Sequence, residues 1–105
     1  MKNLTQWTII TDLIAEPNAR PGTNSNAVGV LGPYGANLST EEILQHSNAL
    51  DFRMKDDDGE IYYYGVMTCE NKGDMDFFAP LDQFGMPNAG CTSIEVLENG
   101  KWIAV

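Results

Sequence analysis

The run with the greatest chemical potential in this chain is Asp56-Asp57-Asp58-Gly59-Glu60, with four carboxylates in five positions. Such a cluster invites a divalent-cation reading. An EF-hand loop sets oxygen ligands at its first, third and fifth positions, glycine at the sixth and a glutamate at the last. With Gly59 as the sixth residue, Met54 falls first and Gly65 last, and neither carries a carboxylate. The EF-hand is excluded. Three adjacent aspartates repel one another, and a turn needs one or two of them at most. The excess suits an exposed acidic tip, either a solvated turn or a surface that meets cations on a partner. Tyr62, Tyr63 and Tyr64, with Arg53 and Lys55 beside them, have the make-up of a nucleic-acid stacking platform. The negative charge around them opposes phosphate, which points instead to core on one face and partner contact on the other.

The other reactive side chains form no motif. Cys69 and Cys91 stand 22 positions apart and His46 is the sole histidine, without the close ligand pairs of a structural zinc site. A Cys–His nucleophilic pair would have to form in space; two idle thiols are the simpler expectation. His46 ends a helical stretch and is expected to interact with its last carbonyls. The glycine-rich segment 22–35 has no lysine and no GxxxxGK spacing, so it is not a P-loop. No metal or other cofactor is implied, and no pair of acids is placed by spacing for acid–base work.

Charge narrows the partners. Fifteen acids against six bases give a formal net charge of −9 in 105 residues. Between Asp51 and Asp82, nine acids and three bases account for −6 of it. That field repels nucleic acid and membrane surfaces and steers basic proteins inward. Apolar runs are far shorter than the roughly 20 residues that span a bilayer. The opening MKNLTQWTII, with one lysine and an interrupted apolar run, does not read as a secretory signal, so a cytoplasmic location is expected.

The elements that must hold the tip are legible by period. Leu50, Phe52 and Met54 alternate with Asp51, Arg53 and Lys55, a half-buried strand. Ile61–Met67 is β-branched and aromatic and returns as its partner. A two-residue Asp58-Gly59 turn would pair Met54 with Tyr63, Phe52 with Gly65 and Leu50 with Met67. The core face is then Leu50, Phe52, Met54, Ile61, Tyr63 and Met67, with Tyr62 and Tyr64 beside Lys55 and Arg53 on the other. A three-residue loop with a bulge would exchange the faces. Further strands are expected over Gln6–Ile14, as an interior strand, and over Ala27–Leu31. Ser39 with Glu42 predicts a capping box and one short helix that docks Ile43 and Leu44. Segment 73–90, with Phe77, Phe78, Leu81, Phe84 and Met86, reads as a long packed loop with a helical turn near Pro80–Phe84. Asn99-Gly100 closes a final hairpin over Ser93–Val105.

These readings predict one α+β domain over residues 1–105. It combines a small antiparallel β-sheet of four to six strands, containing two hairpins, with one short helix and a long packed loop. No catalytic motif is present, so the expected function is a non-catalytic acidic protein-binding module. A phage or mobile-element inhibitor, a nucleic-acid mimic that masks the basic groove of a nucleic-acid-binding protein, has this composition. Its expected contact residues are Asp56, Asp57, Asp58, Glu60, Tyr62 and Tyr64. The alternatives are a small enzyme or ligand-binding module with a pocket under segment 73–90, and a structural subunit that associates through a strand edge.

Overall fold

The computed structural model describes residues 4–105. In chain order the strands are β1 (Gln6–Asp12), β2 (Leu31–Gly32), β3 (Leu50–Lys55), β4 (Ile61–Thr68), β5 (Ser93–Glu98) and β6 (Lys101–Ala104). Among the described residues they form one antiparallel sheet in the order β2-β1-β4-β3-β5-β6. Two short helices, α1 (Thr40–Gln45) and α2 (Met86–Ala89), complete an α+β fold. The aromatic and β-branched β4 takes an interior place, where both faces are covered.

One face of the sheet carries the core. Trp7, Ile9, Phe52, Met54, Tyr63, Met67, Ile94 and Val96 are buried there, beneath Met75, Ala79, Leu81 and Phe84 of the segment before β5. The Phe84 ring meets those of Trp7 and Tyr63 at 5.6 and 5.4 Å between centroids. Tilted pairs of this kind add about 0.5–1.5 kcal/mol each beyond burial. On the outer face, α1 lies across β1 and β4. It buries Ile43 and joins Thr40 Oγ1 to Thr8 Oγ1 at 2.9 Å. Leu44, expected to dock with Ile43, is exposed. The Ser39–Glu42 capping box forms in both directions. Its two donated bonds, from the Ser39 backbone and side chain in order of weight, hold the Glu42 carboxyl below its ordinary range.

Segment 73–90 is more helical than expected. A 3₁₀ turn (Lys72–Asp74) leads into one helical run over 79–89, in which Leu81–Gly85 widens to a π turn before α2. The cause is Pro87, which has no N–H for the Gln83 carbonyl and crowds it. Widening the turn lets Met86 N–H bond to Leu81 instead. That extra residue breaks the 3.6 period, which is why the helix is hidden in the sequence. Gly85 lets it sit close to the sheet, since a Cβ there would lie 2.5 Å from Met54 Sδ.

Two strand expectations are corrected at the other end. The stretch 27–31 yields only the two-residue β2, because Gly29 and Val30 bond to Ile9 as a loop rather than as a ladder. β1 is interior but stops at Asp12, after a bulge at Ile10. The Asp12 carboxylate takes the N–H groups of Ile14 and Ala27 at 2.9 and 2.8 Å, which turns the chain out of the sheet. Ile10, Leu13 and Ile14 are therefore exposed rather than buried.

Candidate protein-binding tip

The acidic run lies at the turn between β3 and β4, and its geometry begins with Asp56. Asp56 Oδ1 accepts the N–H groups of Asp58 and Glu60, both at 2.9 Å. The same carboxylate, then burial, raises the pKa of the neighbouring Tyr62 phenol. Backbone bonds Asp56 N–H to Glu60 O and Gly59 N–H to Asp56 O close the loop, with Gly59 at φ 82°. The loop therefore has three residues, Asp57-Asp58-Gly59, and the expected two-residue turn is corrected. Desolvation alone would raise the Asp56 pKa. The groups of Glu60, Tyr62, Asp58 and Gly59 around it outweigh this and hold the carboxyl below its ordinary value.

A three-residue loop should exchange the faces of the hairpin, and it does not. Lys55 pairs with Ile61, but Met54 pairs with Tyr63, so β4 bulges at Tyr62 and returns to register. Leu50–Met67, Phe52–Gly65 and Met54–Tyr63 pair as the alternation predicts. The bulge has a local consequence that corrects the tyrosine assignment. Ile61 shares the face of Lys55 and stays out of the core cluster. Tyr62 turns to the rim of that cluster, its ring 6.4 Å from Tyr63. Tyr64 lies on the outer face, 5.9 Å from Trp102. Tyr62 and Tyr64 therefore do not form one shared surface.

The four acids divide by role. Asp56 is built into the loop. Asp57, Asp58 and Glu60 are exposed, and among the described residues no cation pairs with them. Beside them, Leu13 N–H bonds to Tyr62 O at 2.9 Å, which brings the end of β1 against the tip. Leu13 is 57% exposed and Ile14 45% exposed. The tip thus joins a rim of unpaired carboxylates to an apolar shoulder. Sequence period placed Leu13 and Ile14 inside a strand; the competing signal was Asp12, a side chain able to cap the strand by bonding two residues on.

On the outer face, Arg53 and Lys55 are already engaged. Arg53 Nε meets Glu95 Oε1 at 2.6 Å, and Lys55 Nζ meets Oε2 at 3.1 Å. The Arg53 guanidinium also lies 4.4 Å from the centre of the Trp102 ring. Desolvation pushes the Glu95 pKa up, but its bonds and charge attraction to Arg53 and Lys55 prevail and leave it below the ordinary value. This trio, with Tyr64 and Trp102, is an ion-paired aromatic surface, two cations sharing one carboxylate, rather than a free basic site. Sequence reasoning found Arg53, Lys55 and Tyr64 but had no means of bringing Glu95 and Trp102 to them across two strands.

The remaining reactive groups stand apart. Cys69 and Cys91 are free and buried. Burial, then the nearby Asp56 charge, pushes the Cys91 thiol up to about 11, which keeps it protonated and a poor nucleophile. Burial, then Asp12, pushes Tyr63 up to about 12, so it serves the core as a neutral phenol. His46 meets the last carbonyls of α1 through its backbone N–H, which donates to Ile43 O, while its ring turns forward and Nδ1 accepts from Asn48 N–H at 3.0 Å. Among the described residues no three His, Cys, Asp or Glu side chains are grouped to hold a metal ion, and no helix is long and apolar enough to cross a membrane.

Segment 73–90 places Met75, Ala79, Leu81 and Phe84 in the core and leaves Phe77, Phe78 and Met86 exposed. A shallow cleft of about 360 Å³ lies at its start, between Lys72, Met75, Phe77, Asn48, Leu50 and the Leu97–Asn99 turn. Its charged groups are Lys72 and Glu98. The Ser47 hydroxyl also lines it, with no imidazole beside it. Comparison of the chain with protein-family models, curated proteins and solved structures finds no match.

Proposed function

We propose that this protein is a non-catalytic binding module that docks its β3–β4 tip into the basic groove of a nucleic-acid-binding partner. The observation that carries this reading is the adjacency of three exposed, unpaired carboxylates (Asp57, Asp58 and Glu60) to the exposed apolar pair Leu13 and Ile14. A turn needs neither feature for stability. Charge at a rim accelerates encounter, and apolar or aromatic groups at the centre slow dissociation. In this division Asp57, Asp58 and Glu60 steer, while Leu13, Ile14 and Tyr62 hold. Asp56 shapes the loop and makes no partner contact of its own. Tyr64 sits around the outer face with Trp102 and stays outside the first contact. Masking of a DNA- or RNA-binding surface, as by a phage or mobile-element inhibitor, follows from the mimicry of clustered negative charge.

The test is capture of a partner from host lysate with a salt series, followed by competition. The captured protein should bind nucleic acid, and increasing amounts of this protein should release a fluorescent oligonucleotide from it. Capture of a protein that keeps its oligonucleotide at saturating inhibitor would defeat the masking reading. Capture undiminished by Leu13→Asp would move the contact elsewhere.

A further inference from the structure

We propose that two copies of this chain pair edge to edge through β6, extending the six-stranded sheet across a twofold axis at Ile103. The inference rests on the register of the last hairpin and not on the acidic tip, so either can fail alone. Asn99 and Gly100 have φ of 52° and 77°, a type I′ two-residue turn. In such a hairpin the closing pair, Glu98 and Lys101, exchanges both backbone bonds, and the pattern then alternates. Lys101 and Ile103 therefore spend their N–H and C=O groups on β5, and Val105 N–H continues the pattern by bonding to Ile94 O. Trp102 and Ala104 face the open edge with both groups of each.

That edge is complementary to itself. Placing Ile103 opposite its own copy in antiparallel pairing sets Trp102 against Ala104 of the second copy, and Ala104 against Trp102. All four outward N–H groups then meet outward carbonyls. The small Ala104 leaves space for the indole beside it. Lys101, the one charge on the strand, falls opposite Val105 and not opposite a second lysine.

The side chains argue for the same axis. Backbone partners Ile9, Gly65, Phe52, Val96 and Ile103 form one row across five strands on the core face. Ile9 and Phe52 are fully buried and Val96 nearly so, but the row ends on Ile103 at 45% exposure. A second Ile103 completes it. β6 has neither proline nor bulge; the devices against pairing that it does carry are its four-residue length and Lys101, which this register places away from its own copy. The β3 strands that carry the tips would lie five strand spacings apart, about 24 Å, beyond the reach of unscreened repulsion at physiological salt.

A contact of five residues per copy is smaller than the roughly 1,200 Å² of stable complexes, so association at about 100 μM is expected. Sedimentation equilibrium should show the wild type moving from monomer to dimer mass in that range. Ala104→Pro removes an N–H that β5 does not use, and Ile103→Lys charges the axis; each should stay monomeric, with circular dichroism reporting the fold. Ile103→Cys should cross-link under mild oxidation, because residues facing across a twofold in this register sit about 4.5 Å apart at Cα, within disulfide range. Lys101→Cys, about 14 Å from its copy, should not. A wild type that remains monomeric to about 500 μM, folded edge variants that dimerise as it does, or equal cross-linking at 101 and 103 would overturn the proposal.

Discussion

The two hairpins of this protein begin from nearly the same turn dipeptide and end as different structures. Asn99-Gly100 makes a two-residue type I′ turn with straight strands on either side. Asp58-Gly59 makes two-thirds of a three-residue loop, followed by a bulge at Tyr62. The difference lies outside the dipeptide. Among the described residues no side chain accepts from the backbone of Asn99 or Gly100. Asp56, by contrast, gathers the N–H groups of Asp58 and Glu60 onto one carboxylate. A dipeptide sets a turn only when no neighbouring side chain offers its N–H groups a better acceptor. The stable hairpin supplies an edge; the recruited loop supplies an exposed acidic rim.

The largest expected effect of breaking this contrast is at the regular turn. Gly100→Val places a β-branched residue at φ 77° and should cost on the order of 1–3 kcal/mol, read from the denaturant midpoint. An unchanged midpoint would show that the strands, and not the turn, set the hairpin. Next comes the clasp that joins the two hairpins. Glu95→Gln weakens both ionic bonds to β3 and should cost about 1–2 kcal/mol. The pH dependence has a definite sign. The Glu95 pKa is depressed on folding, so its contribution is present above its unfolded value and fades as pH falls below about 4.5 through the folded one. The variant should lose less stability than the wild type over that acid range; parallel acid curves would contradict the clasp.

The smallest but most diagnostic change converts one hairpin into the other. Asp56→Ala with Asp58→Asn removes the competing acceptor and creates Asn-Gly. The loop should shorten to two residues, the Tyr62 bulge should vanish, and Met54 should still face Tyr63. Cross-strand Hα–Hα contacts by NMR would move from Lys55–Ile61 to position 56 opposite Ile61, the non-hydrogen-bonded pair next to a two-residue turn. Retention of the bulge would mean that packing of Tyr62 at the core rim, and not Asp56, produces it.

Much of this contrast was readable in the sequence, and the unread part has a common cause. Alternation in Leu50–Lys55 gave the correct pairs with Tyr63, Gly65 and Met67, because burial of Phe52 and Met54 fixes parity whatever the loop does. Asn99-Gly100 and the Ser39–Glu42 box were legible because each is a backbone motif with a local mechanism. The Tyr62 bulge, the end of β1 and the helix over 79–89 were not. Each depends on a side chain that diverts the backbone: Asp56, Asp12 and Pro87. The acidic residues of the tip were legible by composition, yet Asp56 was not separable from its neighbours until its donors were known. Leu13 and Ile14 were missed because a period-2 pattern cannot say where a strand stops.

The central claim is that the tip acts through charge that its own fold does not use. Its most direct test is the association kinetics of Asp57→Asn/Asp58→Ser/Glu60→Gln with the captured partner, measured by surface plasmon resonance at low and high salt. Serine is chosen at 58 so that no Asn-Gly turn is created. The melting temperature should be unchanged. At low salt the variant should associate more slowly than the wild type, the two rates should converge at high salt, and dissociation should be equal throughout. A variant that associates as fast as the wild type at low salt would show that the acidic tip is only a solvated turn.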